Sequence, residues 1–413
     1  MKASIIAVGT ELLFGQTINT NAAFLSEELN HMGFSVMYHY VVGDNPQRLK
    51  ETLAEAFQNT DVVLLTGGLG PTQDDLTKEV VADYMDADLY CDEAVIKDLD
   101  EHFAKRGVKM PENNLKQAYL PVGCTPLYNP SGTAPGFALL KEGKCAMCFP
   151  GPPREMKWLF EHGARQYLME LVDRKMFYRI IRTIGIGESD LEMKLLPLID
   201  NQTDPTIATY AKEGECTMRV ASQRDTMEEA EDAVEEMIAS INEIVGEYIY
   251  SVDNENLNEV VVRMLKEQNL ILTCAESATG GMFGANITEV TGASAVFKQG
   301  FIVYSNEAKT TELGVRPETI DSFGVVSAEV AKEMAVGAQR KAKADIAVSV
   351  TGFAGPEVES GYTPGDAFVG YAYRDKVGSI EIHKNRIIRA WNRNIFMTEM
   401  LKTIYLLLKE DLK

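Results

Sequence analysis

Ser277 stands where a sequence most plainly offers chemistry. It lies in Ala275-Glu-Ser-Ala-Thr-Gly-Gly281, which leaves an apolar run and enters a helical one. A serine on such a turn exposes its hydroxyl while the next backbone N–H groups face the same space. That is the arrangement of a nucleophile beside an oxyanion site. The alternative reading is that Ser277 or Thr279 merely caps the helix. Composition narrows the base. Of five histidines only His383 falls beyond Glu255, on an expected edge strand far from any glycine loop. A Ser–His–Asp triad is therefore not expected, and a Ser–Lys or Ser–Tyr–Lys relay is the alternative. Phe301-Ile-Val-Tyr-Ser-Asn-Glu-Ala-Lys309 offers both groups, Tyr304 ending a strand and Lys309 starting a helix. A lysine serves as a base only when burial or a neighbouring cation lowers its pKa. Ser349-Val-Thr-Gly-Phe-Ala-Gly-Pro356 follows another apolar run and is a second candidate anion nest in the same part of the chain.

A second constellation lies near the amino terminus. Thr66-Gly-Gly-Leu-Gly-Pro71 follows an apolar strand, and Thr72-Gln-Asp-Asp75 leads into a helix. Gly67, Gly68 and Gly70 allow positive φ and close backbone approach, and free N–H groups there attract an anion. Thr72 and Asp74 are natural caps for the helix. Capping does not account for two adjacent acids, so Asp74 and Asp75 are expected to hold a divalent metal ion between themselves and phosphate oxygens. The turn Val8–Leu13 and the segment Gly15–Asn21 leave the first strand. Parallel sheets put their ligand loops at one edge, so these are expected to converge on Gly67–Pro71. Glu11, Asn19 and Asn21 are candidate ligand contacts, each equally open to a capping role. Arg154, in Phe149–Glu155, could meet phosphate or lie on the surface.

Three blocks of elements must position these residues. Met1 to about Leu171 alternates apolar strands and amphipathic helices, the pattern of an α/β domain with a largely parallel sheet. Its expected elements are strand Ser4–Val8, helix Asn21–Met32, strand Phe34–Val42, helix Gln47–Phe57, strand Asp61–Leu65 and a helix from about Asp74 to Met85. A small α+β module follows from about Met176 to Val252, read as Phe177–Ile184, Ser189–Ile199, Glu215–Ser222 and Met227–Val245. The last block opens with helix Leu257–Gln268 and strand Leu270–Cys274. It continues through helix Ala328–Lys341, strands Ile346–Val350 and Ala367–Arg374, and a helix reaching Leu408. The apolar stretch Ile404–Leu408 is a candidate interface, and a homodimer is the default expectation.

The chain has 413 residues, 45% of them hydrophobic, and a formal net charge of -21. That charge argues against direct nucleic-acid binding. A small nucleotide remains acceptable, because a local nest of N–H groups overrides a distant field. Six cysteines over this length form no disulfide scaffold. Cys145 and Cys148 are i and i+3 on a strand and so face opposite ways, which argues against zinc. No stretch approaches the ~20 apolar residues that span a bilayer, and no signal peptide is apparent. A cytoplasmic location without membrane contact is expected.

These motifs together resemble the competence/damage-inducible protein CinA family over essentially the whole chain. Gly9-Thr-Glu-Leu-Leu13, Thr20-Asn21, Gly67–Asp75, Ala134-Pro-Gly-Phe137 and Pro150-Gly-Pro-Pro-Arg-Glu155 match its N-terminal domain. The resemblance implies a molybdopterin-binding-like three-layer fold over 1–171, associated in this family with metal-dependent ADP-ribose pyrophosphatase activity, Asp74 and Asp75 helping to hold the metal. Residues 172–253 resemble a KH-like linker. A nucleic-acid-binding KH module needs a G-x-x-G loop, and Gly185-Ile-Gly-Glu188 lacks it, so this part reads as a spacer.

Ala275-Glu-Ser277, Thr279-Gly-Gly281, Tyr304–Lys309 and Thr351-Gly352 with Ala354-Gly-Pro356 match the C-terminal CinA domain, placed at 254–413. That domain is similar to nicotinamide mononucleotide deamidases. The resemblance implies Ser277 as nucleophile, Tyr304 and Lys309 as proton relay, and Ser294 as another polar site residue. It implies substrate contacts from Thr279, Gly280, Gly281, Asn306, Thr351, Gly352, Ala354, Gly355 and Arg393, the last at the phosphate, with no cofactor in this domain. Three positions depart from the family pattern: Ala278, Pro364-Gly-Asp-Ala-Phe368 and Trp391-Asn392.

The leading expectation is thus a two-site hydrolase of pyridine-nucleotide salvage. A second reading is a competence or recombination adaptor with decayed sites and a protein partner, supported by Gly365-Asp366. A third, on fold analogy alone, is a pterin-binding protein.

Overall fold

The computed structural model describes residues 1–172, 174–212, 214–359 and 361–410. The chain divides into two compact units, residues 1–178 with 222–233, and residues 179–221 with 234–413.

In the first unit, β1 (Lys2–Val8) is followed by α1 (Thr20–His31), β2 (Ser35–Val42), α2 (Pro46–Asn59), β3 (Val62–Thr66), α3 (Thr77–Tyr84) and α4 (Glu93–Lys105). Strands β4 (Thr125–Leu127), β5 (Gly136–Lys141) and β6 (Lys144–Phe149) and helix α5 (Pro153–Leu159) complete it. The sheet order is β2-β1-β3-β6-β5-β4. Its first four strands are parallel, and β5 and β4 are added antiparallel at one edge. All five residues of β3 are buried, as a central strand covered on both faces requires.

Helices follow from local chemistry. Asn19 Oδ1 accepts Ala22 N–H at 3.0 Å and starts α1. Asn45 accepts Arg48 N–H at 3.0 Å and Pro46 opens α2. Leu25 and Leu29 from α1 pack into one core and Leu49 and Leu53 from α2 into the other, each burial worth about 1.5–3 kcal/mol. Cys145 lies in the first of these cores and Cys148 in the second, so the C-x-x-C pair does face opposite ways. The helix expected from Asp74 starts at Thr77 instead, with no side-chain cap. Thr72 and Asp74 do not cap it, because their side chains bond to each other.

An α+β module, of which residues 175–178 and 222–233 belong to the first unit and the rest to the second, is formed by β7 (Lys175–Thr183), α6 (Glu188–Ile199), β8 (Thr206–Lys212), β9 (Glu215–Arg224), α7 (Met227–Val245) and β10 (Ile249–Ser251), with sheet order β8-β9-β7-β10. The sequence does not announce strand β8, an edge strand in which only Ile207 is buried. It carries little apolar alternation to read.

The remainder runs α8 (Leu257–Glu267), β11 (Leu272–Glu276), α9 (Met282–Thr288), β12 (Phe297–Ile302), α10 (Asn306–Leu313), α11 (Pro317–Phe323), α12 (Ala328–Ala342), β13 (Ile346–Gly352), β14 (Ala367–Tyr373), β15 (Lys376–Ile382) and α13 (Arg389–Glu410). The sheet order is β12-β11-β13-β14-β15, with β12, β11 and β13 parallel. Ile404 and Leu408 of α13 lie in this chain's own core with residues of α8, so that stretch is not a free interface. Among the described residues no helix is long and apolar enough to cross a membrane.

Candidate functional site

Register brings the chemistry together. Glu276 pairs with Ile302 on one side and Val350 on the other, so the chain leaves β11, β12 and β13 at one sheet edge. Ser277, 8% exposed, donates its N–H to Val350 O at 3.2 Å, and its carbonyl accepts Gly280 N–H at 3.1 Å. Gly280 and Gly281 hold φ of 60° and 100°, which glycine adopts at no steric cost. The Glu276 carboxylate accepts N–H from Gly281 at 2.9 Å, Phe283 at 3.0 Å and Gly284 at 2.9 Å. Glu276 thereby caps α9, and neither Ser277 nor Thr279 is needed there. Thr279 Oγ1 is buried without a partner among the described residues. The Ala278 N–H has no acceptor among the described residues and occupies the usual place of an oxyanion donor.

Lys309, 1% exposed, reaches this turn from the first helical turn of α10. Its Nζ lies 3.1 Å from Ser277 Oγ, 3.1 Å from Val303 O and 3.2 Å from Tyr304 O. Burial lowers its pKa from 10.5 to about 8, because a desolvated ammonium has lost its hydration. A neutral amine has two N–H groups and one lone pair. The two carbonyls take the N–H groups, which leaves the lone pair toward the Ser277 hydroxyl.

Other expected site residues fall less simply. The Tyr304 side chain is 64% exposed, and its hydroxyl lies 3.3 Å from Arg389 Nη2. Only its backbone carbonyl touches Lys309. Ser294 is not brought to Ser277. It is exposed in the turn Ala293–Ala295 before β12, and the six residues of β12 place it about 20 Å away at the opposite sheet edge. Asn306 is exposed at the start of α10, which Ser305 caps. Thr351 Oγ1 donates to Val325 O at 2.8 Å. Gly352 ends β13, and the carbonyls of Ala354 and Gly355 accept from Asn392 and Arg389. Arg393 donates to the carbonyls of Ala278 and Thr279.

His383, expected far from any glycine loop, is instead bonded to one. Its Nδ1 lies 2.8 Å from Asp366 Oδ1, beside Gly365, whose N–H donates to Phe353 O. Asp366 also accepts Thr363 N–H at 2.6 Å and Thr363 Oγ1 at 3.0 Å, so this departure from the family pattern is absorbed in a turn. Trp391 stacks under Arg386, 4.6 Å from its ring centroid.

The first unit builds a second site by the same logic. Ala7 pairs with Thr66 and Thr66 with Phe149, so the loops after β1, β3 and β6 share an edge, as expected. They enclose a cavity of about 360 Å³ lined by Gly9, Glu11, Asp44, Gly67, Gly68, Gly70, Asp74, Asp75 and Glu155 among others. A smaller hollow of about 90 Å³ adds Asn19, Asn21 and Thr66. The Gly67 N–H is bonded to Phe149 O, while those of Gly68, Leu69 and Gly70 have no acceptor among the described residues. Gly67 has φ 102°, and a Cβ there would lie 2.1 Å from Val8 O. Asn19 caps α1. Asn21 is a clasp, donating to Thr66 Oγ1 and Gly151 O, both at 2.8 Å. Arg154 is exposed and does not line the cavity.

Asp74 and Asp75 both accept from the Thr72 hydroxyl, which holds the Asp74 carboxyl below its usual range. Sequence reasoning missed Lys116, whose Nζ donates to Thr72 O at 2.9 Å and also to Asp75 O. No local signal marks a strap that comes from about forty residues away in the chain.

An α/β protein with a serine–lysine site on one sheet and an acidic glycine turn on another is the class these features define. The chain belongs to the CinA family. Residues 254–408 match the "CinA C-terminal domain", 4–170 the "Probable molybdopterin binding domain" and 178–251 the "Damage-inducible protein CinA KH domain". A "Putative competence-damage inducible protein" of Caldicellulosiruptor saccharolyticus is 47% identical over 92% of this chain and 93% of the relative. A "CinA-like protein" of Dictyoglomus thermophilum is 43% identical over 94% and 95%. A crystal structure of CinA from Thermoplasma acidophilum, described as of unknown function, is 37% identical over 41% of this chain and 97% of that one, with a TM-score of 0.38.

Proposed function

We propose that the Ser277 site deamidates nicotinamide mononucleotide to nicotinic acid mononucleotide and ammonia, and that the Gly67–Asp75 cavity hydrolyses the pyrophosphate of ADP-ribose. The observation that carries the first assignment is the buried Lys309 Nζ 3.1 Å from Ser277 Oγ. The hydroxyl proton passes to neutral Lys309 as Oγ bonds to the carboxamide carbon, and the carbonyl electron pair moves onto oxygen beside the Ala278 N–H. Collapse breaks the C–N bond while Lys309 returns the proton to the leaving nitrogen, so ammonia departs. Water then gives a proton to Lys309 and adds to the ester carbon. Ser277 leaves with that proton and the acid is released.

In the N-terminal cavity, among the described residues no group of three His, Cys, Asp or Glu side chains could enclose a metal ion. Two adjacent carboxylates still fit a hard cation that keeps water and takes substrate phosphates as ligands. Asp74 and Asp75 would hold it, and it would supply charge neutralisation at the pyrophosphate. The unbonded N–H groups of Gly68, Leu69 and Gly70 are suited to the phosphate oxygens, and Lys116 keeps the acidic turn in place.

The adaptor reading rested on Gly365-Asp366. Asp366 is directed to Thr363 and His383, so no observation favours decay of the serine site. Ammonia release from nicotinamide mononucleotide, lost in Ser277→Ala, tests the first assignment. AMP release from ADP-ribose with Mg²⁺, retained in Ser277→Ala and lost in Asp75→Ala, tests the second.

A further inference from the structure

The first five residues of α13, Arg389–Arg393, bring three side chains onto the loops that flank Ser277. Arg393 donates through Nε to Ala278 O at 3.2 Å and through Nη2 to Thr279 O at 2.6 Å. Asn392, fully buried, donates to Ala354 O at 2.9 Å and to Arg386 O at 2.6 Å. Arg389 donates through Nη1 to Gly355 O at 3.0 Å and meets the Tyr304 hydroxyl at 3.3 Å. One helix end therefore ties the serine turn and the loop after β13 to a common frame.

The two arginines differ in what remains available. The Arg393 fork spans two successive carbonyls of the turn that continues into Gly280 and Gly281, both at positive φ. From the other side Glu276 takes the N–H groups of Gly281, Phe283 and Gly284. A guanidinium on the carbonyls and a carboxylate on the N–H groups together fix the turn that carries Ser277 and the Ala278 N–H. Arg389 is exposed and opens a helix of 22 residues. It has no carboxylate partner among the described residues, and a guanidinium has five N–H groups, of which Gly355 and Tyr304 engage two. In a chain of net charge -21, an unpaired guanidinium that shares Tyr304 with Lys309 is suited to an anionic group of the substrate.

We propose that Arg393 is a positioning residue that sets the Ser277 turn, and that Arg389 reads the anionic end of the substrate. That end is a phosphate monoester, on the amidohydrolase reading above. This division departs from the resemblance, which gave the phosphate to Arg393.

Steady-state kinetics of the full chain with nicotinamide mononucleotide and its dephosphorylated riboside separate the roles. Arg389→Gln raises KM for the mononucleotide and lowers its preference over the riboside by about tenfold or more, since a lost charged contact is worth roughly that. Arg393→Lys, whose single ammonium cannot bridge both carbonyls, lowers kcat by about tenfold or more with KM little changed. The opposite split, a raised KM with unchanged kcat in Arg393→Lys and unchanged preference in Arg389→Gln, overturns the proposal. A serine-reactive fluorophosphonate gives a readout independent of the substrate. Arg393→Lys with an unchanged thermal midpoint should be labelled at Ser277 more slowly than wild type, and labelling at the wild-type rate overturns the positioning role. Wild-type protein that is labelled but releases no ammonia sinks the substrate reading, and the labelling comparison still decides the Arg393 role.

Discussion

Lys309 Nζ lies 3.1 Å from Ser277 Oγ, and its other hydrogen-bond partners among the described residues are the carbonyls of Val303 and Tyr304. Charge, burial and geometry act in one direction here. Burial makes the ammonium costly and brings the pKa to about 8, while the carbonyls fix where the lone pair points. Replacing Lys309 by Met should lower kcat by roughly 10²–10⁴, the usual range for a general base. Stopped or steady-state ammonia assays at matched folding would show it.

The same burial makes a stability prediction with a definite sign. The folded pKa of Lys309 is about 8 against 10.5 for the free side chain. Between those values the unfolded chain binds more protons, so this group makes stability rise with pH from about 8 to about 10.5, and its cost is fully present below about 8. Denaturant unfolding across that window should show a shallower rise for Lys309→Met than for wild type. Equal slopes would mean that the ammonium is not desolvated.

Asn21 ties Thr66 to Gly151 across the N-terminal sheet edge. Asn21→Ala leaves the buried Thr66 hydroxyl and the Gly151 carbonyl short of a donor, so it should cost about 1–3 kcal/mol of stability. Urea unfolding measures this directly, and a change below about 0.5 kcal/mol would mean that water replaces the clasp.

Gly67 has φ 102°, with space closed by Val8 O. Gly67→Ala adds backbone strain of order 1–3 kcal/mol and a clash between main-chain atoms. It should abolish hydrolysis of ADP-ribose while leaving Ser277-dependent ammonia release in place. Parallel assays of both reactions on one preparation check it.

Asp366 and His383 are paired across a turn. Desolvation raises the Asp366 carboxyl, but bonds from Thr363 and His383 outweigh it and hold the pKa below 3.8. The Asp366 bond raises His383 above 6.5. The Asp366 contribution is present above about 4 and lost as pH falls. The His383 contribution is present below about 6.5 and lost as pH rises through its raised value. The stability difference between wild type and Asp366→Asn should therefore peak between about pH 4 and pH 6.5, with KM for the mononucleotide unchanged. A difference flat with pH would contradict the pairing.

Much of this is legible in the sequence. Apolar runs ending in glycine turns marked β3, β11 and β13, and the scarcity of histidine directed attention from a triad to Lys309. Side chains acting across long separations were not readable. Lys116 on the Asp75 carbonyl and Arg389 on Gly355 leave no periodicity, because only folding makes them neighbours. Strand β8 was missed because an exposed edge needs little apolar sequence. The Asp74 helix was placed three residues early because Thr72, Asp74 and Asp75 look like caps but bond among themselves. Ser294 shows the converse error, where matching a motif position does not bring a residue to the same edge of the sheet.

The most direct test of the Ser277–Lys309 assignment is the pH profile of ammonia release from nicotinamide mononucleotide by wild type, with Ser277→Ala as control. The arrangement predicts kcat rising through an apparent pKa near 8 and no release from Ser277→Ala. Release that persists in Ser277→Ala, or a kcat independent of pH between about 7 and 9, would contradict it.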